Sequence, residues 1–153
     1  MAPSILPSAR SATDNDVPSL VALWEACGLK RPHNHAPTDI AFARQGPNSD
    51  VIILDDGDKI VAATIVGHDG HRGWVYYVAV APDHQRCGLG RHMMQEAERW
   101  LLARGIWKLQ LMVRRSNQDV HRFYETLGFS DDDVRVLSKR LKPMPYIDSN
   151  APS

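Results

Sequence analysis

Apolar residues along the chain recur with two periods, and these lay out the elements. Val17, Leu20, Val21, Trp24 and Cys27 follow helical spacing and share one face of a helix over 16–27. Asp16 suits its N-cap, Pro18 is tolerated only in a first turn, and Gly28 supplies a left-handed C-terminal cap. Residues 29–37 carry two prolines among polar residues and read as a loop, and a short helix follows over 39–45. Two β-branched runs, 51–54 and 60–67, flank Asp55-Asp56-Gly57-Asp58, and the Asp-Gly pair predicts a hairpin. A third run, apolar and aromatic, spans 74–81 and is stopped by Pro82. The clearest helix covers 89–104, with Leu89, Met93, Ala97, Trp100 and Leu101 as its buried stripe and Gly105 closing it. A strand over 108–113, a helix over 119–127 closed by Gly128, and a strand over 134–141 complete the chain. With a strand before the first helix, the order predicts an α/β (α+β) domain on a mixed sheet.

A chain of 153 residues fits a single domain over 1–153, and the proline-bearing ends, 1–7 and 143–153, read as flexible tails. Hydrophobic residues make up 43% and charged residues 24%, which excludes a wholly disordered chain. Lys plus Arg equals Asp plus Glu at 18 each, so the general positive excess used for nucleic acid or polybasic membrane anchoring is missing. No apolar run reaches the roughly 18 residues of a membrane span. MAPSILPSAR lacks the pattern of a signal peptide, and two cysteines, Cys27 and Cys87, make no disulfide framework, so a cytoplasmic location is expected. Neutrality is an average, however: residues 83–122 hold eight Lys or Arg against four Asp or Glu.

That basic stretch contains Gln85-Arg86-Cys87-Gly88-Leu89-Gly90-Arg91, set between a strand and the long helix. A helix start offers unpaired N–H groups and partial positive charge, and glycines let the backbone approach an anion closely. Arg86 and Arg91 add fixed charge, so the segment can cradle a pyrophosphate; alternatively its glycines simply shape a tight turn. The spacing matches neither a Rossmann fingerprint nor a P-loop.

Gln-x-x-Gly-x-Gly following Val-Ala-Val-Ala-Pro resembles the acetyl-CoA signature of the GCN5-related N-acetyltransferases (GNAT). Asn117, Val120, Phe123-Tyr124 and Leu127-Gly128-Phe129 are similar to the family's Asn-x-x-Ala…Tyr…Gly-Phe helix. The lead into the first helix, Arg10 to Asp16, and Leu137-Ser-Lys-Arg-Leu141 resemble its beginning and its last strand, so the resemblance spans residues 8–142. Within the family, Leu23-Trp24-Glu25, Cys27, Arg31-Pro32, Asn34, Asp39-Ile40 and Asp69-Gly70-His71-Arg72-Gly73 resemble the small bacterial YpeA-like acetyltransferases.

The resemblance implies a sheet of six to seven strands, splayed in the middle, with about four helices. It implies that the pantetheine arm of acetyl-CoA pairs with Val78 and Val80, that Gln85, Arg86, Cys87, Gly88, Leu89, Gly90 and Arg91 bind its pyrophosphate, and that Asn117 contacts the pantetheine. An amine then attacks the thioester directly. The N–H of Ala79 or Val80 would hold the oxyanion, and Tyr124 would be the general acid for the thiolate. Without the resemblance, Tyr124 reads as a helix tyrosine on the core.

Removing the acceptor's proton has no obvious agent, because Val75-Tyr76-Tyr77-Val78 lacks the strand Glu that many relatives use. His71 heads the candidates, with Asp69, His68, Glu25 and His33 beside it, or a water chain among them. Trp24, Arg31, Asn34, Asp69, His71, Arg72 and Tyr76 are expected to line the acceptor site, and Arg31 and Arg72 favour a carboxylate-bearing amine. His33, His35, His68 and His71 lack the Cys or Glu company of common zinc sites, so no metal is expected. The readings are thus an acetyl-CoA-dependent N-acetyltransferase acting on a small molecule or a protein N-terminus, as monomer or homodimer, or a non-catalytic acyl-CoA sensor or interaction module on the same fold.

Overall fold

A computed structural model of the chain describes residues 6–143. By contacts the chain divides into two compact units, Met1–Leu111 and Met112–Ser153. Most of the two predicted tails, 1–5 and 144–153, lies outside the described residues.

The first unit is a five-stranded sheet with three helices. Its strands are β1 (Ser8–Ser11), β2 (Ser49–Asp55), β3 (Ile60–His68), β4 (Gly73–Val80) and β5 (Leu109–Gln110), in that spatial order. Neighbours run antiparallel except β4 and β5, which are parallel. Helices α1 (Val17–Ala26) and α2 (Ala36–Gln45) lie between β1 and β2 in the chain, and α3 (Leu89–Leu102) lies between β4 and β5.

Alternation along β2 sends Val51 and Ile53 to one face, where they join Leu20, Leu23 and Trp24 of α1 and Ile40 and Ala43 of α2. Ile52 and Leu54 turn to the opposite face, where α3 buries Leu89, Met93, Met94, Ala97 and Leu101. Covered on both faces, β3 is buried at Val61, Ala62, Ala63, Thr64 and Val66, so its sequence reads as a continuous apolar run.

The second unit contains α4 (Gln118–Thr126), with Asn117 as its N-cap. Among the described residues no helix is long and apolar enough to cross a membrane.

Three expectations are corrected. The described residues form five strands rather than six or seven, because 134–141 is irregular. Val134 and Val136 would lie on one face of a strand and Leu137 and Leu141 on the other, yet all four are exposed, and a strand needs a neighbour for its backbone groups; none pairs with this segment among the described residues. The strand expected over 108–113 shortens to Leu109–Gln110, because only Gly73 and Trp74 of β4 pair with it. Finally, α2 starts three residues early, since Pro37 sits in its first turn, where the missing N–H costs nothing.

Candidate active site

The parallel pairing of β4 with β5 ends at Trp74–Gln110, yet β4 continues to Val80. From Val75 onward the far edge of β4 therefore has no strand partner among the described residues. A bulge lies in the same stretch. Ile65 faces Tyr76 and Ala63 faces Ala79, so β4 carries one additional residue, and Tyr77 takes a left-handed φ of 55°. Buried Thr64 stands opposite and donates to the Tyr76 carbonyl at 3.1 Å.

Beyond the bulge, Ala81 N–H donates to Val61 O at 2.8 Å, toward β3. Alternation then turns the Ala79 N–H toward β3 as well, and leaves the backbone groups of Val80, and of Val78 before it, on the open edge. The Val80 carbonyl accepts from Cys27 Sγ at 3.2 Å and from Gln85 Nε2 at 3.3 Å. Gln85 thereby ties the turn to the strand.

That turn is sharply curved. Arg86 (φ 64°) and Gly88 (φ 82°) are both left-handed, and Gly88 is the N-cap of α3. The N–H groups of Leu89, Gly90 and Arg91 open the helix without intrahelical acceptors. Cys87 folds back, its Sγ 2.8 Å from His84 O. The open edge leaves backbone groups free for an extended ligand, and the cradle of amides suits an anion.

Three of the expected acceptor residues gather around a residue that the sequence did not single out. The Trp24 ring, 2% exposed, stacks on Tyr77 with centroids 4.2 Å apart and planes 10° apart. The Tyr77 hydroxyl donates to Asp39 Oδ2 at 3.1 Å, and the Asn34 side chain hydrogen-bonds to Tyr77. Burial, then the Asp39 charge and hydrogen bond, push the Tyr77 phenol up to about 12. Arg31 lies close by, but its guanidinium donates to Gly28 O at 2.8 Å and Lys30 O at 3.0 Å.

The other four meet at the β3–β4 hairpin. Asp69 Oδ1 accepts from the Arg72 and His71 N–H groups at 2.7 and 2.9 Å, and Oδ2 accepts from Trp74 Nε1 at 3.3 Å. The backbone N–H of Arg72, then that of His71, hold the Asp69 carboxyl below its usual range. Burial and the Asp69 charge raise the Tyr76 phenol. The Arg72 guanidinium lies 4.7 Å over the Trp107 ring and donates to His71 O, and the His71 side chain is exposed. Of the remaining base candidates, Glu25 pairs with Lys30 at 3.5 Å, His68 Nδ1 accepts from Gly70 N–H, and His33 is an exposed loop residue. Among the described residues no three His, Cys, Asp or Glu side chains form a metal-ligand group.

In the second unit, Asn117 Oδ1 caps α4 by accepting from Val120 N–H at 3.3 Å. Two turns on, Tyr124 is 9% exposed, edge-on to Phe123 (5.0 Å) and Phe129 (5.5 Å). Burial pushes its phenol up to about 12.

Residues 17–129 match the model of the acetyltransferase (GNAT) family. A Yersinia pestis protein named as an acetyltransferase is 35% identical over 127 residues, 83% of this chain and 90% of its own. Among solved structures, the ribosomal-protein-S18-alanine N-acetyltransferase of Escherichia coli superposes with a TM-score of 0.69 at 28% identity, over 80% of this chain and 77% of that one. AAC(6')-Iy in complex with the bisubstrate analog CoA-S-monomethyl-acetylneamine superposes with a TM-score of 0.76 at 12% identity, over 90% and 99%, and shares the fold. The chain belongs to the GNAT acetyltransferase family and is an acyl-CoA-dependent N-acetyltransferase.

Proposed function

We propose that the protein transfers the acetyl group of acetyl-CoA to a primary amine, on a small molecule or a protein N-terminus, by direct attack in a ternary complex. The observation that carries this reading is the open edge of β4 beyond Trp74, which ends in the amide cradle of Arg86 to Arg91. Bound acetyl-CoA supplies an acetyl group activated as a thioester. The backbone groups of Val78 and Val80 add it to the sheet edge like a further strand, the turn amides hold its pyrophosphate, and Asn117 contacts the pantetheine.

Of the two oxyanion donors expected from sequence, Val80 is preferred, because the Ala79 N–H is directed to β3. Tyr124 keeps its proton throughout the neutral range, the form that a general acid for a departing thiolate must have. His71, exposed on the β3–β4 hairpin with its Nδ1 3.5 Å from the Arg72 guanidinium, takes the acceptor's proton. The AAC(6')-Iy complex, with its CoA-linked acetylneamine, supports a ternary arrangement on this fold.

Calorimetric titration of acetyl-CoA, followed by thiol release across a panel of primary amines, tests the reading. Saturable binding with amine-dependent release is expected. No binding of acetyl-CoA would overturn it.

A further inference from the structure

We propose that Asp39 and Tyr77 form a cation subsite, in which the Asp39 carboxylate takes a positively charged nitrogen of the acceptor, so that alkylammonium compounds without a carboxylate, diamines among them, are the substrate class. This rests on reading the site as that of an N-acetyltransferase, and it names a part of the site that neither the β4 edge nor the turn supplies.

Asp39 lies in the first turn of α2 and is half-buried. It accepts the Tyr77 hydroxyl at 3.1 Å, but no lysine or arginine forms an ion pair with it among the described residues. Neighbouring carboxylates differ: Asp14 pairs with Arg44 at 2.7 Å, Asp16 with Arg10 at 2.7 Å, and Glu25 with Lys30 at 3.5 Å. Arg31, the nearest cation, is held by two carbonyls of its own loop, and Arg72 lies on Trp107. The two arginines that favoured a carboxylate-bearing acceptor are thus both held by contacts of their own, and neither forms an ion pair with Asp39 among the described residues. A partly buried carboxylate without a counter-charge is costly, and a ligand ammonium offsets that cost through charge-assisted hydrogen bonds.

The surroundings suit the same ligand. The Tyr77 ring, stacked on Trp24, presents aromatic surface beside the carboxylate, as alkylammonium recognition uses. In the same cluster the Trp24 Nε1–H is buried with no hydrogen-bond partner among the described residues, a second polar group left unsatisfied by the protein. The bulge at Tyr77 directly precedes Val78, so this cluster adjoins the open edge.

The test is calorimetry on the full chain saturated with coenzyme A, titrated with 1,3-diaminopropane and, separately, with zwitterionic β-alanine. The wild type should bind the diamine at least about tenfold more tightly than β-alanine, and Asp39→Asn should weaken diamine binding about tenfold. Tyr77→Phe should weaken it by a smaller factor, with coenzyme A affinity unchanged in both variants. Preference for β-alanine, no diamine binding, or equal diamine binding by wild type and Asp39→Asn overturns the proposal. Unchanged thermal melting confirms that each variant is folded, and Asp39→Glu, which keeps the charge, should restore part of the binding. Thiol release with acetyl-CoA separates the two levels. Binding at Asp39 without release defeats the transferase reading and leaves the subsite standing. Release with an unaltered diamine KM in Asp39→Asn defeats the subsite and leaves the transferase reading standing.

Discussion

The thiol of Cys27 donates to the carbonyl oxygen of Val80 at 3.2 Å, tying the end of α1 to the open edge of β4. Gln85 donates to the same oxygen at 3.3 Å, so Val80 is held from the helix before it and from the turn after it. Burial raises the Cys27 thiol, which keeps it a neutral donor, whereas Cys87 is exposed. Iodoacetamide at neutral pH should therefore label Cys87 first, with Cys27 slower by about tenfold or more and quickening as pH rises. Peptide mass spectrometry over a time course reads both sites at once. Equal labelling rates would mean that the Cys27–Val80 contact does not persist in solution.

Tyr124→Phe removes a hydroxyl while keeping the ring that Phe123 and Phe129 contact edge-on. A general acid contributes about a hundredfold or more, so kcat should fall by that order while acetyl-CoA affinity stays within about threefold. A parallel loss of affinity, or an unchanged kcat, would remove Tyr124 from that role.

The same phenol makes a prediction about alkaline stability. A tyrosine ionises near 10 in the unfolded chain, whereas Tyr124 and Tyr77 are both pushed up to about 12 in the fold. The unfolded state therefore gives up these protons first. The contribution of the two neutral phenols is whole below pH 10 and is lost as pH rises from 10 toward 12. Denaturant midpoints should fall across that window, and Tyr77→Phe and Tyr124→Phe should each flatten the fall. A wild-type midpoint independent of pH over this range would contradict the burial of both hydroxyls.

Helical periodicity and caps were legible at Leu20, Trp24, Met93 and Leu101, because burial on one face leaves a spaced record in the sequence. The glycine turn and the start of α4 at Asn117 could be read because a helix N-terminus demands a turn or cap residue just before it, whereas the pairing of Asn117 with Tyr124 came from the resemblance to the family's motif. The bulge at Tyr77 was not. Val75, Tyr76, Tyr77 and Val78 form an unbroken apolar run, and nothing in its alternation marks the residue that takes a positive φ. Asp39 was missed for a related reason, since its importance comes from a tyrosine 38 positions away and from the cations that do not reach it. The absent last strand shows the converse: the β-branched and apolar residues over 134–141 describe a capacity to pair, and pairing depends on a neighbour.

Asp16 anchors the start of α1. It accepts both nitrogens of Arg10, at 2.7 and 3.0 Å, and the Thr13 N–H at 2.7 Å. The guanidinium of Arg10 holds its carboxyl far below the usual carboxylate range, and the Asp16 side chain is 12% exposed. A depressed carboxyl contributes stability above its unfolded pKa near 4 and loses it as pH falls through the folded value. Asp16→Asn should therefore cost about 1 kcal/mol at pH 7, discounted for solvent screening because the Arg10 side chain is 40% exposed. Its stability should also fall less steeply than wild type below pH 4. Urea titrations at pH 7 and pH 3 measure both; a constant difference between variant and wild type would refute the assignment.

Gly73 opens β4 in close contact with Leu101 of α3. A Cβ built there would sit 2.5 Å from Leu101 Cδ1 and 2.7 Å from Cδ2, inside contact distance. Leu101 is 1% exposed and has little room to withdraw. Gly73 also pairs with His68 on β3 and Leu109 on β5, and its N–H donates to Lys108 O at 2.9 Å, so the backbone is held from both sides. Gly73→Ala should therefore destabilise by about 1–3 kcal/mol through overpacking. The cause can be separated from any loss of backbone freedom by a second change. Leu101→Ala alone should destabilise by about 2–5 kcal/mol by leaving a cavity, and in that background the added methyl should cost much less or improve stability. Denaturant unfolding of the four proteins gives the coupling directly. Additive costs would place the strain elsewhere than at the Gly73–Leu101 contact.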